Sequence, residues 1–218
     1  MDAARIAELL APFVGEANDQ RLTTSDLESI STYIDILLRW NARINLTAIR
    51  TPEEIVTRHF GESLFAARHL FPRTPVPPVV KGLAVADVGS GAGFPGVPIK
   101  LWAPAVKLTL IESNHKKATF LRELARSLTL TDINIQSARA ESLPATSYDV
   151  VTLRAVERFE SVLLIAARLV KPGGRLALLI GSSQASRVHT SLGALSWSDP
   201  LPIPSSKSRV LLVGRTAP

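Results

Sequence analysis

Apolar positions in the first seventy residues recur at the three- and four-residue spacing of amphipathic helices. Leu27, Ile30, Ile34, Leu37, Leu38 and Ile44 form one such series. It overlaps Ser25-Asp26-Leu27-Glu28, where Ser followed by Glu three residues later has the form of a capping box. A shorter series over about the first twelve residues predicts another helix before it. A third start is marked by Thr51 as a cap, Pro52 at the first helical position, and Glu53 and Glu54 against the helix dipole. That helix is expected to run to Leu70 and stop before Pro72. Pro72, Pro75, Pro77 and Pro78 then read as a stiff, extended connector.

From Leu83 the pattern changes to short apolar strands alternating with amphipathic helices. Strands are predicted at Leu83–Val88, Val106–Glu112, Ile133–Ser137, Tyr148–Leu153, Arg175–Ile180 and Arg209–Gly214. Helices are predicted at Gly96–Trp102, His115–Ser127 and Phe159–Leu169. Such alternation predicts an α/β fold with a largely parallel, doubly wound sheet. The chain thus divides into a helical cap, residues 1–80, and a sheet domain, residues 81–218.

Composition narrows the chemistry. The 218 residues include no cysteine, so there is no disulfide framework, no thiolate metal site and no cysteine nucleophile. Pyrimidine C5 methyltransferases, which attack the ring through a thiolate, are excluded on the same ground. No metal-ligand cluster is visible, and no metal is expected. The apolar stretches fall short of the roughly 18 residues that a membrane span requires. Met1–Leu10 carries Asp2, Arg5 and Glu8, unlike a signal peptide. A cytoplasmic location without a membrane partner is therefore expected.

The net charge of +6 is unevenly spread. Residues 1–80 hold eight bases and ten acids, residues 81–170 eleven and eight, and residues 171–218 six and one. A −2 cap thus precedes a strongly basic sheet domain, rich in Arg, whose guanidinium is the better fork for phosphate. That balance suits a nucleic-acid partner, although many soluble chains are mildly basic.

In open α/β sheets ligands bind beyond the carboxyl ends of the strands. The first predicted strand ends in Asp87 and runs into Gly89-Ser90-Gly91-Ala92-Gly93, a loop that lets backbone approach a ligand closely. The second ends in Glu112, placed to accept both hydroxyls of a ribose. Together these point to an adenosine-containing cofactor. Asp87, two residues before the first glycine, would oppose a pyrophosphate but suits a cationic ligand. S-adenosylmethionine, with a sulfonium and an ammonium, fits better than a dinucleotide, and His59, His69, His115 and His189 form no hydride-transfer set.

Longer motifs are more discriminating. Asp87-Val-Gly-Ser-Gly-Ala-Gly-Phe-Pro-Gly96, Ile111-Glu-Ser-Asn-His-Lys-Lys117, Arg139-Ala140-Glu141, Asp149-Val-Val-Thr-Leu-Arg154-Ala155-Val156 and Lys171-Pro-Gly-Gly174 stand in order along the chain. Upstream are Trp40-Asn41, Asn45-Leu46-Thr47 and Arg58-His59 with Glu62-Ser63-Leu64. This set closely resembles the RsmG family, also called glucose-inhibited division protein B. The resemblance spans roughly residues 24–215. It implies a class I, Rossmann-like S-adenosylmethionine-dependent methyltransferase sheet, mostly parallel with an antiparallel C-terminal strand, plus an N-terminal helical cap. It implies methylation of N7 of one guanine in bacterial small-subunit (16S) ribosomal RNA.

Carried onto this chain, the resemblance gives Asp87, Gly89, Gly91, Gly93, Phe94, Glu112, Ala140, Glu141 and Arg154 as cofactor residues. Glu112 would hold the ribose, Ala140 and Glu141 the adenine, and Arg154 the methyl-transfer side as the catalytic candidate. Asn45, Arg58 and His59 would close the mouth from the cap, with Lys116 a further RNA contact. Some have a structural alternative: Asn45 as a helix cap, His59 and Ser63 as inter-helix polar contacts, Phe94 as core packing under the loop. The sequence also departs from the family. Gly61 and Glu62 stand where an apolar residue and Asp are usual, and Ile180 where Lys is usual. Lys171 or Arg187 could replace that Lys.

Guanine N7 carries a lone pair and no proton, so no general base is needed and catalysis is mostly positioning and desolvation. Exocyclic amine methylation normally uses an Asn/Asp-Pro-Pro-aromatic loop, whereas Thr152-Leu153-Arg154-Ala155 stands here. Two alternatives remain: a methyltransferase of the same fold acting on another RNA or a small molecule, and a non-catalytic nucleotide-binding module. The basic tail argues against a small substrate. The expected partner is 16S ribosomal RNA or a small-subunit particle, met by a monomer.

Overall fold

Eight strands form one sheet, ordered Ile133–Gln136, Lys107–Ile111, Ala84–Val88, Tyr148–Arg154, Val170–Gly181, Arg209–Arg215 and Ser196–Trp197, with Leu201–Pro202 also paired to Arg209–Arg215. This is seen in a computed structural model that describes residues 1–15, 22–72, 82–154 and 159–218. The strands are β1 (Ala84–Val88), β2 (Lys107–Ile111), β3 (Ile133–Gln136), β4 (Tyr148–Arg154), β5 (Val170–Gly181), β6 (Ser196–Trp197), β7 (Leu201–Pro202) and β8 (Arg209–Arg215). The first five run parallel, and β8 pairs antiparallel with β5. From β1 the chain steps outward to β2 and β3, then returns to β4 on the other side of β1. The strand order therefore reverses between β1 and β4, which opens a crevice at their carboxyl ends.

Strands near the centre are covered on both faces. One face carries α7 (Phe159–Leu169) and α8 (Ala185–Ser191). The other carries α5 (Gly96–Trp102), α6 (His115–Ser127) and the cap helices. The cap comprises α1 (Ala3–Val14), α2 (Thr24–Asn41), α3 (Pro52–Glu54) and α4 (Glu62–Leu70), with a π-helical stretch Ile55–Gly61 joining the last two. Ile6, Phe13, Ile34 and Phe60 of the cap lie in one apolar cluster with Val85, Leu108, Phe120 and Leu179 of the sheet layer. The cap thus has no separate core.

Several boundaries differ from the sequence reading for local reasons. The capping box of α2 is made by Thr23 and Asp26 rather than Ser25 and Glu28: Thr23 has extended backbone, and each side chain binds the other's N–H at 3.1 and 2.9 Å. The helix expected from Pro52 to Leu70 has that extent but is interrupted by the π turn. Gly61 ends this turn, and a Cβ there would lie 2.7 Å from the Phe13 ring. Strand β5 begins at Val170, before the expected Arg175, because its pairing with β4 resumes across an irregularity between Tyr148 and Val150. Helix α8, the single turns Ala140–Ser142 and Ser182–Gln184, and β6 and β7 are too short to leave a periodic signal. The connector prolines Pro75, Pro77 and Pro78, and Ala155-Val156, lie outside the described residues. Among the described residues no helix is long and apolar enough to cross a membrane.

Candidate active site

The crevice at the β1–β4 switch point is built first from the glycine loop. Asp87 is the penultimate residue of β1 and is 1% exposed. Its Oδ1 accepts from the Thr152 hydroxyl at 2.9 Å, and its Oδ2 from Gly96 N at 3.1 Å. Burial, opposed by these hydrogen bonds, raises its pKa to about 6. Asp87 therefore sits beneath the loop, tying β1 to β4 and to the start of α5, rather than on the wall of the crevice. Gly93 has φ +92°, and a Cβ there would meet the Tyr33 hydroxyl at 2.5 Å. That space is taken because Tyr33 of α2 donates a hydrogen bond to Ala92 O. The cap thus braces the loop.

Glu112 follows β2. Its Oε2 accepts from Gly91 N at 2.9 Å and its Oε1 from Asn114 N at 2.8 Å. Two cavities meet at this carboxylate. One, of about 520 Å³, is lined by Leu46, Thr47, His59, Gly89, Ser90, Gly91, Ala92, Phe94, Glu112, Ser113, Asn114, Lys117 and Arg154. The other, of about 360 Å³, is lined by Val88, Gly89, Ile111, Glu112, Ser113, Ala138, Arg139, Ala140, Glu141, Val162 and Ile165. Gly89, Glu112 and Ser113 are common to both. The two cavities adjoin at these three residues and together form a trough.

The cap supplies the far wall of the larger cavity. Phe94 is 5% exposed and packs in an aromatic cluster, its ring stacked on Tyr33 at 5.1 Å and on His59 at 4.8 Å, with Phe60 edge-on. It is both core and cavity lining. His59 is held between Thr47 Oγ1 at 2.8 Å from Nε2 and Arg154 Nη2 at 3.0 Å from Nδ1. Burial first, then the charges of Arg154, Arg58 and Arg209, depress the His59 pKa to about 3.

Arg154, at the end of β4, is the bolt between sheet and cap. Its Nε and Nη2 donate to Glu62 Oε2 at 3.2 and 3.0 Å, and Nη2 also reaches the Arg58 carbonyl at 2.9 Å. Burial lowers its pKa, and Glu62 opposes that shift. Arg209 of β8 donates to the same Glu62 oxygen at 3.1 Å. Glu62 is 3% exposed, so two guanidinium groups compensate its buried charge. Register pairs Arg209 with Gly181 at the end of β5. Ile180 packs in the core at 3% exposure, so the basic group at this strand end is Arg209.

The trough gathers Gly89, Gly91, Phe94, Glu112, His59 and Arg154 in one cavity, and Ala140 and Glu141 in the other. Arg58 is exposed and enters through its carbonyl. Asn45 and Lys116 are exposed and line neither cavity; one residue along α6, Lys117 does. Lys171 lies at the start of β5, the opposite end of the sheet, paired with Asp149 at 3.0 Å. Arg187 is exposed on α8 beside Glu160 at 3.8 Å. Thr47, Lys117, Glu62 as an anchor and Arg209 were not singled out by sequence reading. Lys117 needs only the helical phase, whereas Arg209 arrives through a long-range antiparallel pairing that leaves no local signal.

A family model described as GidB, rRNA small subunit methyltransferase G, matches residues 26–203. The chain is also 37% identical over 179 residues to Ribosomal RNA small subunit methyltransferase G of Xanthomonas axonopodis pv. citri (strain 306), 79% of each chain. This chain belongs to the GidB family. The fold of this GidB chain is that of S-adenosylmethionine-dependent methyltransferases. It resembles a SAM-dependent methyltransferase from Aquifex aeolicus (TM-score 0.54, 17% identity, 64% of this chain and 85% of that one). It also resembles the ribosomal protein L11 methylase from Lactobacillus delbrueckii subsp. bulgaricus (TM-score 0.58, 16% identity, 73% and 79%).

The trough fits S-adenosylmethionine, the cofactor of this GidB chain. Gly91, at φ +55°, lines the larger cavity, and a Cβ there would meet only Gly89 O, at 3.8 Å. A side chain at this position would fill space that the loop keeps open.

Proposed function

We propose that this enzyme methylates N7 of a guanine in 16S ribosomal RNA, with S-adenosylmethionine lying along the trough. The observation that carries the cofactor pose is the meeting of two cavities at Glu112. Its carboxylate oxygens each accept one backbone N–H and keep further lone pairs for the ribose hydroxyls. Ala140 and Glu141 border the adenine end. The loop Gly89–Ala92 borders the methionine end, nearest the cap.

Bound there, the cofactor supplies an electrophilic sulfonium methyl, which the unprotonated N7 lone pair attacks in line without a general base. The chain's part is then to position and desolvate. Phe94 and Leu46 exclude water from the larger cavity, and Lys117 sets a cation at its rim. Arg154, its Nε and Nη2 spent on Glu62, Arg58 and His59, holds cap and sheet in one geometry. Effective molarity gained by such fixation is the main catalytic lever where no proton needs to move. The guanidinium of Arg154 thus serves as a positioning group.

The ribosomal substrate is supported by the rRNA methyltransferase name of the 37% identical relative and by the basic sheet domain. Action as a cytoplasmic monomer on the RNA or on a small-subunit particle belongs to the same proposal. The test is transfer of labelled methyl to unmodified 16S ribosomal RNA and small-subunit particles. Label confined to one 7-methylguanosine is expected. Glu112→Ala is expected to weaken cofactor binding about tenfold or more, read by calorimetry, from loss of charge-assisted hydrogen bonds. Label at another atom, or unchanged affinity in Glu112→Ala, contradicts the reading.

A further inference from the structure

The hydroxyl of Thr47 occupies a fixed place in the cavity wall. Asn41, 6% exposed at the end of α2, clamps the loop that carries it. Asn41 Oδ1 accepts from Leu46 N at 2.9 Å and Thr47 N at 3.0 Å, while its Nδ2 donates to Thr47 O at 3.0 Å. The side chain is equally constrained. Ile49 N donates to Thr47 Oγ1 at 3.1 Å. The second contact, with His59 Nε2 at 2.8 Å, has a direction fixed from outside. Arg154 Nη2 stands 3.0 Å from His59 Nδ1, and a guanidinium cannot accept a hydrogen bond. A proton on Nδ1 would face a group that cannot accept it, so Nδ1 is unprotonated and the ring proton lies on Nε2. Thr47 Oγ1 thus receives two hydrogen bonds, which use both of its lone pairs. Its own proton has no acceptor among the described residues, and the residue lines the larger cavity.

We propose that the Thr47 hydroxyl reads O6 of the target guanine as an obligate hydrogen-bond donor, kept in that role by the Glu62–Arg154–His59 chain. The inference rests on the guanine-N7 reading above. O6 and N7 share one edge of the base, so a donor at O6 sets N7 beside it. Adenine presents an amino group there, which would meet an oxygen with no lone pair left to accept. A polar site of this kind discriminates far more than an apolar one, since the wrong base leaves buried groups unpaired. The methionine carboxylate, the other oxygen acceptor in reach of this end of the trough, is an anion. It is served by Lys117, which lines the same cavity and has no ion-pair partner among the described residues. Thr47 is then a specificity residue, and His59 and Arg154 are positioning residues.

The test uses the full chain and a 16S ribosomal RNA substrate carrying guanosine or 2-aminopurine, which keeps N7 and lacks O6, at the target. The wild type is expected to prefer guanosine. Thr47→Val is expected to lose roughly tenfold or more in kcat/KM on guanosine. Its guanosine-to-2-aminopurine ratio should fall towards one, with the affinity for S-adenosylmethionine unchanged. Thr47→Ser should restore the ratio. An unchanged ratio in Thr47→Val overturns the inference, as does a loss confined to cofactor affinity, which would assign the hydroxyl to the carboxylate. Transfer by the wild type to no guanosine overturns the function itself, a distinguishable result. A readout on the wild type alone guards against a misfolded variant: nitrogen NMR should show His59 neutral with its proton on Nε2. A ring protonated on Nδ1 contradicts the donor assignment.

Discussion

Two buried side chains of the site titrate with opposite signs. Asp87 holds its proton more tightly folded than unfolded, with a pKa of about 6 against 3.8. Its contribution therefore makes the protein less stable as pH rises from about 4 to about 6, and is constant above. His59 behaves in reverse, with a folded pKa of about 3 against 6.5. The neutral ring contributes stability that is complete above pH 6.5 and is lost as pH falls towards 3. Where the two windows overlap they largely cancel. His59→Gln removes one of the pair. At pH 7 the variant should melt below the wild type, because Gln does not reproduce both contacts of the ring. As pH falls from 6.5 to 4, the wild type loses the His59 contribution and the variant does not, so the gap should narrow, by up to about 1.4 kcal/mol per pH unit. Thermal melts across this range check the sign; a gap that widens contradicts the placement of a neutral, buried ring. At this scale the sequence was partly legible. Glu112 and the glycine loop announce themselves because one strand end and one tight turn place them. Asp87 was read from the sequence as a cofactor residue, whereas in the structure both of its oxygens are taken by Thr152 and Gly96. Thr47 stood within a recognised motif, yet its role depends on which ring nitrogen of His59 faces Arg154, a fact of three-dimensional contact.

Among the elements, the helical path from Pro52 to Leu70 shows how a departure from family pattern is accommodated. From sequence alone, Gly61 should weaken a helix by about 1 kcal/mol relative to Ala. The structure reverses the sign of that comparison. The π turn Ile55–Gly61 brings the backbone against Phe13 of α1, and a methyl at Gly61 would lie 2.7–2.8 Å from three atoms of the ring. Overpacking of this kind costs about 1–3 kcal/mol, which exceeds the gain in propensity. Gly61→Ala is therefore expected to lower stability, measured by chemical denaturation, and a compensating Phe13→Leu to recover part of the loss. A more stable Gly61→Ala would show that the close approach does not govern this helix. Two helices were legible to the residue, Gly96–Trp102 and His115–Ser127, and a third ends at Leu169 as expected. The π turn was not, because its wider winding shifts phase without breaking the run of apolar residues. The long β5 was missed at its start because Pro172-Gly173-Gly174 reads locally as a turn.

In the whole molecule, residues 1–80 carry a charge of −2 and residues 81–218 the entire positive excess. The two parts are united by a continuous apolar cluster and, at the site, by one buried acid shared between Arg154 of β4 and Arg209 of β8. Cap and sheet are thereby fixed together at the mouth of the trough, which suits a reaction that asks for alignment and exclusion of water rather than proton transfer. The fold class and cofactor were legible because α/β alternation and strand-end chemistry are local signals. The anchor across β8 was not, since only the closed sheet brings residue 209 beside residue 62. The central claim, N7 methylation of a guanine in 16S ribosomal RNA, is tested most directly by mass mapping of that RNA from cells lacking this chain. The account predicts loss of one 7-methylguanosine, regained when the purified protein and S-adenosylmethionine are added to the isolated particles or RNA. An unchanged modification pattern would contradict it.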